Sequence, residues 1–137
     1  MSSKKVFVVI GATGAQVLPN AQLTFPTPLT YHSQGGAVAQ YFLKNLPSDL
    51  TIRAITRNPS SASATALKDL GAEVVKADLN DKPSLERAFK NATYIFSVTN
   101  YFDTLDAAAE ITQGVNVIDA ACTTALHTLQ SFVCNPR

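Results

Sequence analysis

Tryptophan is absent from this 137-residue sequence, which has two cysteines, two histidines and one methionine. Cys122 and Cys134 have no second cysteine pair and no histidine at ligand spacing, which favours free thiols over a disulfide or a zinc site. His32 and His127 have no serine or cysteine partner in a recognisable motif, so the sequence does not support a hydrolase. We therefore predict neither a metal site nor a catalytic triad.

Charge of one sign and long apolar runs are also missing. The net charge is +1 with only 15% charged residues, and the scattered lysines and arginines make no basic stripe for nucleic acid. After Lys4 and Lys5, the longest purely apolar run is residues 6–10, too short for a signal peptide or a membrane span. We expect no direct nucleic-acid partner, no membrane partner and a cytoplasmic location, with the nucleus as a second location.

Short β-branched runs alternate with longer amphipathic ones along the chain. The short runs predict strands at 5–10, 51–56, 72–77 and 93–98. Apolar residues at helical spacing predict helices at 35–46, 60–70, 82–91 and about 104–121. Such alternation is typical of an α/β fold whose parallel sheet has helices on both faces. Covered faces also explain why the first strand is continuously apolar.

Gly11-Ala12-Thr13-Gly14 follows the first predicted strand. Glycines there permit a tight turn and a close approach of backbone N–H groups to a pyrophosphate. A helix should begin at once, yet residues 17–34 intervene and include three prolines. If these residues are removed, Gln16 is followed by Gly35 and the sequence becomes GATGAQGGAVAQYFLKNL, a G-x-x-G-x-x-G turn at the start of a helix. This pattern predicts a Rossmann-like doubly wound parallel sheet, truncated, with strand order 3-2-1-4.

Two interpretations of residues 17–34 stay open. Their length preserves the reading frame and their ends permit splice signals, so a retained intron is one interpretation, and a genuine loop insertion is the other. Sequencing of the transcript decides between them. The longer connection costs roughly 1.2 kcal/mol of closure entropy, which a domain survives, whereas dinucleotide binding is more sensitive because it depends on turn-to-helix geometry.

Five motifs occur in a fixed order: the rejoined VIGATGAQGGAVAQYFLK, then AITRNPSS, KADLND, YIFSVTNYFD and ITQGVNVIDAA. In this order they resemble the N-terminal part of the NmrA-like proteins, atypical relatives of the short-chain dehydrogenases. The resemblance runs from Val6 to about Ala121, apart from the interruption. It implies an NAD(P)-binding domain over residues 1–121, with an inserted loop at 17–34 and an atypical tail at 122–137, which also fits a shifted reading frame.

Carried over residue by residue, the resemblance implies a dinucleotide-binding site. The implied pyrophosphate contacts are Gly11, Thr13, Gly14, Gln16 and Gly35. The implied adenosine-side contacts are Arg57, Asp78 and Leu79. The implied contacts beside the nicotinamide ribose are Thr99, Asn100 and Phe102. For Asp78, capping of the following turn is the structural alternative.

Arg57, directly after the second predicted strand, bears on the choice of cofactor. Its guanidinium suits an adenosine 2′-phosphate, whereas an NAD site needs a carboxylate for the ribose hydroxyls. Asp49 has a suitable spacing from Gly11 but precedes the strand, at the wrong end of the sheet. We therefore predict NADP(H) in preference to NAD, with a solvated surface charge as the alternative role of Arg57.

A Tyr-x-x-x-Lys pair, which would support carbonyl reduction, is absent because no tyrosine is followed four residues later by lysine. Tyr41 and Lys44 are three residues apart, and we expect Tyr41 to pack in the core. We predict no catalytic residue here and interpret the chain as an NmrA-like dinucleotide sensor or regulator with a regulatory protein partner. The alternatives are part of an NADPH-dependent reductase of the isoflavone or quinone reductase type, or an inactive mis-spliced product.

Overall fold

The computed structural model describes residues 4–14, 34–45, 49–99 and 106–124. Within them four strands alternate with four helices, as the sequence pattern predicts. In chain order the elements are β1 (Lys5–Ile10), α1 (Gln34–Asn45), β2 (Leu50–Thr56), α2 (Ala62–Asp69), β3 (Glu73–Lys76), α3 (Lys82–Ala88), β4 (Tyr94–Phe96) and α4 (Ala107–Thr124).

The four strands form one parallel sheet in the order β3-β2-β1-β4. At the centre, Val8 of β1 lies opposite Arg53 of β2 and Ile95 of β4. The predicted α/β class and strand order are therefore confirmed. All four strands end at one edge of the sheet, which we call the carboxyl edge, and β1 and β4 meet where the strand order reverses.

Helices cover both faces of this sheet. Alternate β1 residues point to opposite sides, and Val8 and Ile10 belong to a core with α3 and α4, whereas Val9 belongs to a core with α1 and α2. Phe7 joins the second core and packs edge-on against Phe42 of α1, with ring centroids 5.0 Å apart. Burial on both sides explains the continuous apolar run in β1.

Helix α1 packs on the sheet although residues 11–33 separate it from β1. It begins one residue before the predicted Gly35, and its predicted last residue, Leu46, lies outside the described residues together with 15–33. The expectation that Tyr41 packs in the core is wrong, because 64% of this residue is exposed and Phe42 packs inward instead.

Local hydrogen bonds explain where α2 begins and ends. The Ser61 hydroxyl accepts from the Ala64 backbone N–H at 3.2 Å, so α2 begins at Ala62 rather than at the predicted Ser60. It ends at Asp69, one residue before the predicted Leu70. Gly71 follows with φ of 99°, the left-handed conformation expected there.

Helix α3 is shorter than predicted: it ends at Ala88, whereas Asn91 was its predicted last residue. Asn91 has φ of 61°, which no helix continues through. One guanidinium nitrogen of Arg53, from the middle of β2, donates to the carbonyl oxygens of Ala88 and Lys90, each at 2.8 Å. A second nitrogen of Arg53 pairs with Glu73 at 2.9 Å. Arg53 therefore caps α3 from the neighbouring strand.

Helix α4 is displaced toward the C-terminus relative to the predicted residues 104–121. The Asp106 carboxylate accepts from the Ala108 backbone N–H at 2.9 Å and caps the first turn. At the other end, the hydroxyls of Thr123 and Thr124 donate to carbonyl oxygens one turn earlier. Among the residues with a described conformation, no helix is sufficiently long and apolar to cross a bilayer.

Candidate functional site

The glycine turn after β1 is held against the end of β4. Gly11 has φ of 76°, a conformation that favours glycine over residues with a side chain. A Cβ added to Gly11 would lie 3.4 Å from the backbone oxygen of Val98. The turn therefore lies at the junction of β1 and β4, the position where ligands bind in open parallel sheets.

Gly35, in the first turn of α1, lies directly on the Gly11 backbone. A Cβ added to Gly35 would lie 2.6 Å from the backbone carbon of Gly11 and 2.6 Å from the Ile10 oxygen. Only a residue without a side chain permits this approach, since backbone atoms on both sides cannot move away. The N-terminus of α1 is thus brought to the glycine turn despite the intervening residues 15–33.

This arrangement suits an anion. The N-terminus of α1 is the positive end of the helix dipole, and its first turn contains no acidic residue that would repel a phosphate. Thr13 is half-buried and Gly14 exposed beside the same turn. Of the predicted pyrophosphate contacts, Gly35 is brought to Gly11, Thr13 and Gly14 follow Gly11 directly in the chain, and Gln16 lies outside the described residues.

A hydroxyl network joins the glycine turn to the end of β2. The Thr13 hydroxyl donates to the hydroxyl oxygen of Thr56 at 2.9 Å. The same oxygen accepts from the Asn58 backbone N–H at 3.1 Å. Asn58 in turn accepts from the Ser60 backbone N–H through its side-chain oxygen. Thr56, which no motif in the sequence marks, is 5% exposed and couples the two turns.

Arg57 is exposed between Thr56 and Asn58 at the carboxyl edge of the sheet. Because it directly follows β2, Arg57 lies on the β2 side of the glycine turn. No carboxylate occurs among residues 57–61, which connect β2 to α2.

Asp78 and Leu79 follow β3, and both make structural contacts. The Asp78 carboxylate accepts from the backbone and side-chain nitrogens of Asn80, at 2.9 and 3.1 Å. Asp78 therefore caps the following turn, which is the structural alternative to an adenosine-side contact. The Leu79 side chain packs against the core of α3 and α4, and its carbonyl oxygen accepts from the Asn116 side chain at 2.9 Å.

Thr99 lies just after β4 and donates its hydroxyl to the carboxylate of Glu110 at 2.7 Å. Glu110 was missed in the sequence, as were Gln113 and Asn116, which contact the turn after β3. The available signal was the spacing of Glu110, Gln113 and Asn116, which at every third position lie on one side of the helix. Asn100 and Phe102, the remaining predicted contacts, lie outside the described residues.

Comparison with known proteins identifies the family. The model of the NmrA-like family matches residues 32–132. The NmrA-like family domain-containing oxidoreductase cpsB of Aspergillus campestris is 38% identical over 122 residues, which cover 86% of this chain and 30% of that protein. The chain belongs to the NmrA-like family.

Solved structures agree with this assignment. Triphenylmethane reductase of Citrobacter sp., complexed with NADP(H), is 27% identical to this chain, with a TM-score of 0.67. The match covers 96% of this chain and 37% of the reductase. NmrA, a negative transcriptional regulator solved in complex with NAD, matches with a TM-score of 0.67. The match covers 33% of NmrA, and because the identity is 19%, it supports the fold alone. The fold is therefore Rossmann-like. This NmrA-like chain spans about a third of the length of these relatives.

Proposed function

We propose that this chain is the dinucleotide-binding part of an NmrA-like protein and that it favours NADP(H) over NAD. The observation that carries the proposal is the backbone contact between Gly35 and Gly11. It presents the N-terminus of α1 to the glycine turn at the junction of β1 and β4, where a pyrophosphate binds in this class of fold.

The preference for NADP(H) rests on the turn after β2. Arg57 supplies a guanidinium on the adenosine side, where an NAD site requires a carboxylate. The Thr13–Thr56 hydrogen bond ties this turn to the glycine turn, so the two phosphate-binding elements are held in a constant relative position. Triphenylmethane reductase, which is similar in sequence and fold, was solved with NADP(H).

For the complete protein we propose an NADPH-dependent oxidoreductase. The support is the naming of the curated relatives at 38% and 41% identity as oxidoreductases. A dinucleotide sensor or regulator is the second candidate, and this chain itself contains no Tyr-x-x-x-Lys pair. Adding NADPH together with a quinone and following absorbance of the reduced cofactor in the full-length protein separates the two candidates.

The cofactor preference is tested with Arg57→Ala in calorimetric titrations of NADPH and NADH. Loss of charge-assisted hydrogen bonds to the 2′-phosphate should weaken NADPH by at least about tenfold and leave NADH unchanged. Arg87→Ala is the matched control, because Arg87 is exposed in the last turn of α3, at the opposite edge of the sheet. Equal weakening of both cofactors by Arg57→Ala would contradict the proposal.

A further inference from the structure

Glu110 lies in the first turn of α4 and is half-buried beside the end of β4. Its carboxylate accepts the hydroxyl proton of Thr99 over 2.7 Å, a short charge-assisted hydrogen bond. Thr99 is half-buried as well. The pair joins Thr99, just after β4, to the first turn of α4, so the Thr99 hydroxyl has a defined direction.

The position of this pair relative to the glycine turn determines which part of a ligand it meets. Val98, the residue before Thr99, lies beside Gly11, since a Cβ added to Gly11 would be 3.4 Å from the Val98 backbone oxygen. With Arg57 and the adenosine side over β2, a dinucleotide that crosses the sheet at β1 extends its other half over β4. Thr99 then lies on the side of the nicotinamide ribose and its ring. This step rests on the proposed function.

The hydrogen bond decides how the Thr99 hydroxyl can act. A threonine hydroxyl has one proton to donate and two lone pairs that accept. Because its proton is held by Glu110, the Thr99 oxygen is left as an acceptor, and the carboxylate polarises it further. The nicotinamide half carries matching donors in its ribose hydroxyls and its carboxamide N–H group.

We propose that Glu110 is a positioning residue that fixes the Thr99 hydroxyl as an acceptor for the nicotinamide half of the bound dinucleotide. A purely structural role is the competing explanation, because an acidic residue in the first turn also stabilises a helix through its dipole. The two explanations differ in ligand dependence. A structural role affects every ligand alike, whereas positioning of Thr99 affects only ligands with a nicotinamide half.

The experiment measures the Kd of the 137-residue chain for NADPH and for adenosine 2′,5′-bisphosphate, which lacks the nicotinamide half. Glu110→Ala should raise the Kd for NADPH about tenfold, and that for the bisphosphate should stay within about twofold. Glu110→Gln keeps an acceptor oxygen and should restore most of the NADPH affinity. Asp119→Ala is the control, since Asp119 lies on the same helix in an exposed pair with Lys82.

Thr99→Val provides an independent variant of similar shape, which keeps the test decisive if Glu110→Ala does not fold. It should cause the same selective loss, and the double variant should lose no more than either single one, because both remove one shared interaction. An equal rise in the Kd for both ligands, or an unchanged Kd for NADPH, would overturn this inference and leave the proposed function standing. If the unsubstituted chain binds neither ligand, the proposed function fails and the inference fails with it.

Discussion

The β1–α1 and β2–α2 connections join a strand to a helix on the same face of the sheet, yet they differ in length. Residues 57–61 connect β2 to α2, and Asn58 and Ser61 hold this short turn through local hydrogen bonds. Residues 11–33 connect β1 to α1. Both helices nevertheless pack into the same core.

This difference shows that the place of α1 does not depend on the length of its connection. An added stretch of chain costs little closure entropy, because that cost grows only with the logarithm of length. The close contact of Gly35 with Gly11 and the burial of Ala39 and Phe42 decide where α1 lies. For α2, the local cap at Ser61 decides where the helix begins.

The largest expected effect comes from adding a side chain where α1 contacts the glycine turn. Gly35→Ala would place a Cβ 2.6 Å from backbone atoms of β1 and its turn, so we expect a loss of about 2–3 kcal/mol in the free energy of unfolding. NADPH binding should weaken as well. Urea denaturation followed by circular dichroism measures the first effect, and calorimetry the second.

Gly114→Ala is the matched control, because Gly114 is also a helical glycine. A Cβ added there meets no atom within 4 Å. Replacement should therefore stabilise the chain by about 0.5–1 kcal/mol, the usual difference between alanine and glycine in a helix. Similar effects at the two positions would show that helix propensity, and not the contact with Gly11, decides the outcome.

Removing residues 17–34 makes the two connections more alike. The deletion joins Gln16 to Gly35, so a glutamine again precedes the glycine in the first turn of α1. We expect a gain of about 1.2 kcal/mol in the free energy of unfolding. NADPH should bind about tenfold more tightly if one charge-assisted phosphate contact is recovered. Weaker NADPH binding after the deletion would indicate that the inserted residues belong to the site.

The smallest effect concerns the local cap of α2. Ser61→Ala removes the hydroxyl that accepts from the Ala64 backbone N–H and should cost about 1 kcal/mol. Ser60→Ala is the control, because Ser60 is an exposed neighbour outside the helix, and it should change stability by less than about 0.5 kcal/mol. Equal losses in thermal unfolding would show that the Ser61 hydroxyl is not the cap.

The fold was predictable because its main signals are local. Apolar runs, the φ-permissive glycine at Gly71 and the alternation of elements indicate strands, a helix end and a parallel sheet without knowledge of tertiary contacts. Element ends were less predictable. At the end of α3, Arg53 on a neighbouring strand donates to the carbonyl oxygens of Ala88 and Lys90, and no local pattern shows such a contact.

The candidate site was predictable where backbone geometry dictates residue type. Gly11 and Gly35 follow from the glycine pattern once the inserted residues are removed, since close backbone approach demands glycine. Glu110 and Thr56 were not predictable. Their roles depend on partners 11 and 43 residues away in the chain, which only the packed structure brings within hydrogen-bond distance.

By itself, the sequence determined the α/β class, because hydrophobic periodicity acts through short-range sterics and burial. The glycine pattern indicated the strand order through its likeness to Rossmann folds, and the resemblance of five ordered motifs indicated the family. Tertiary structure alone decided that α1 returns to the glycine turn across the inserted residues. It also decided that Asp78 caps its own turn and that Thr99 gives its proton to Glu110. The physical reason is that a side chain's hydrogen-bond partner is chosen by proximity in the folded chain, which no spacing along the sequence specifies.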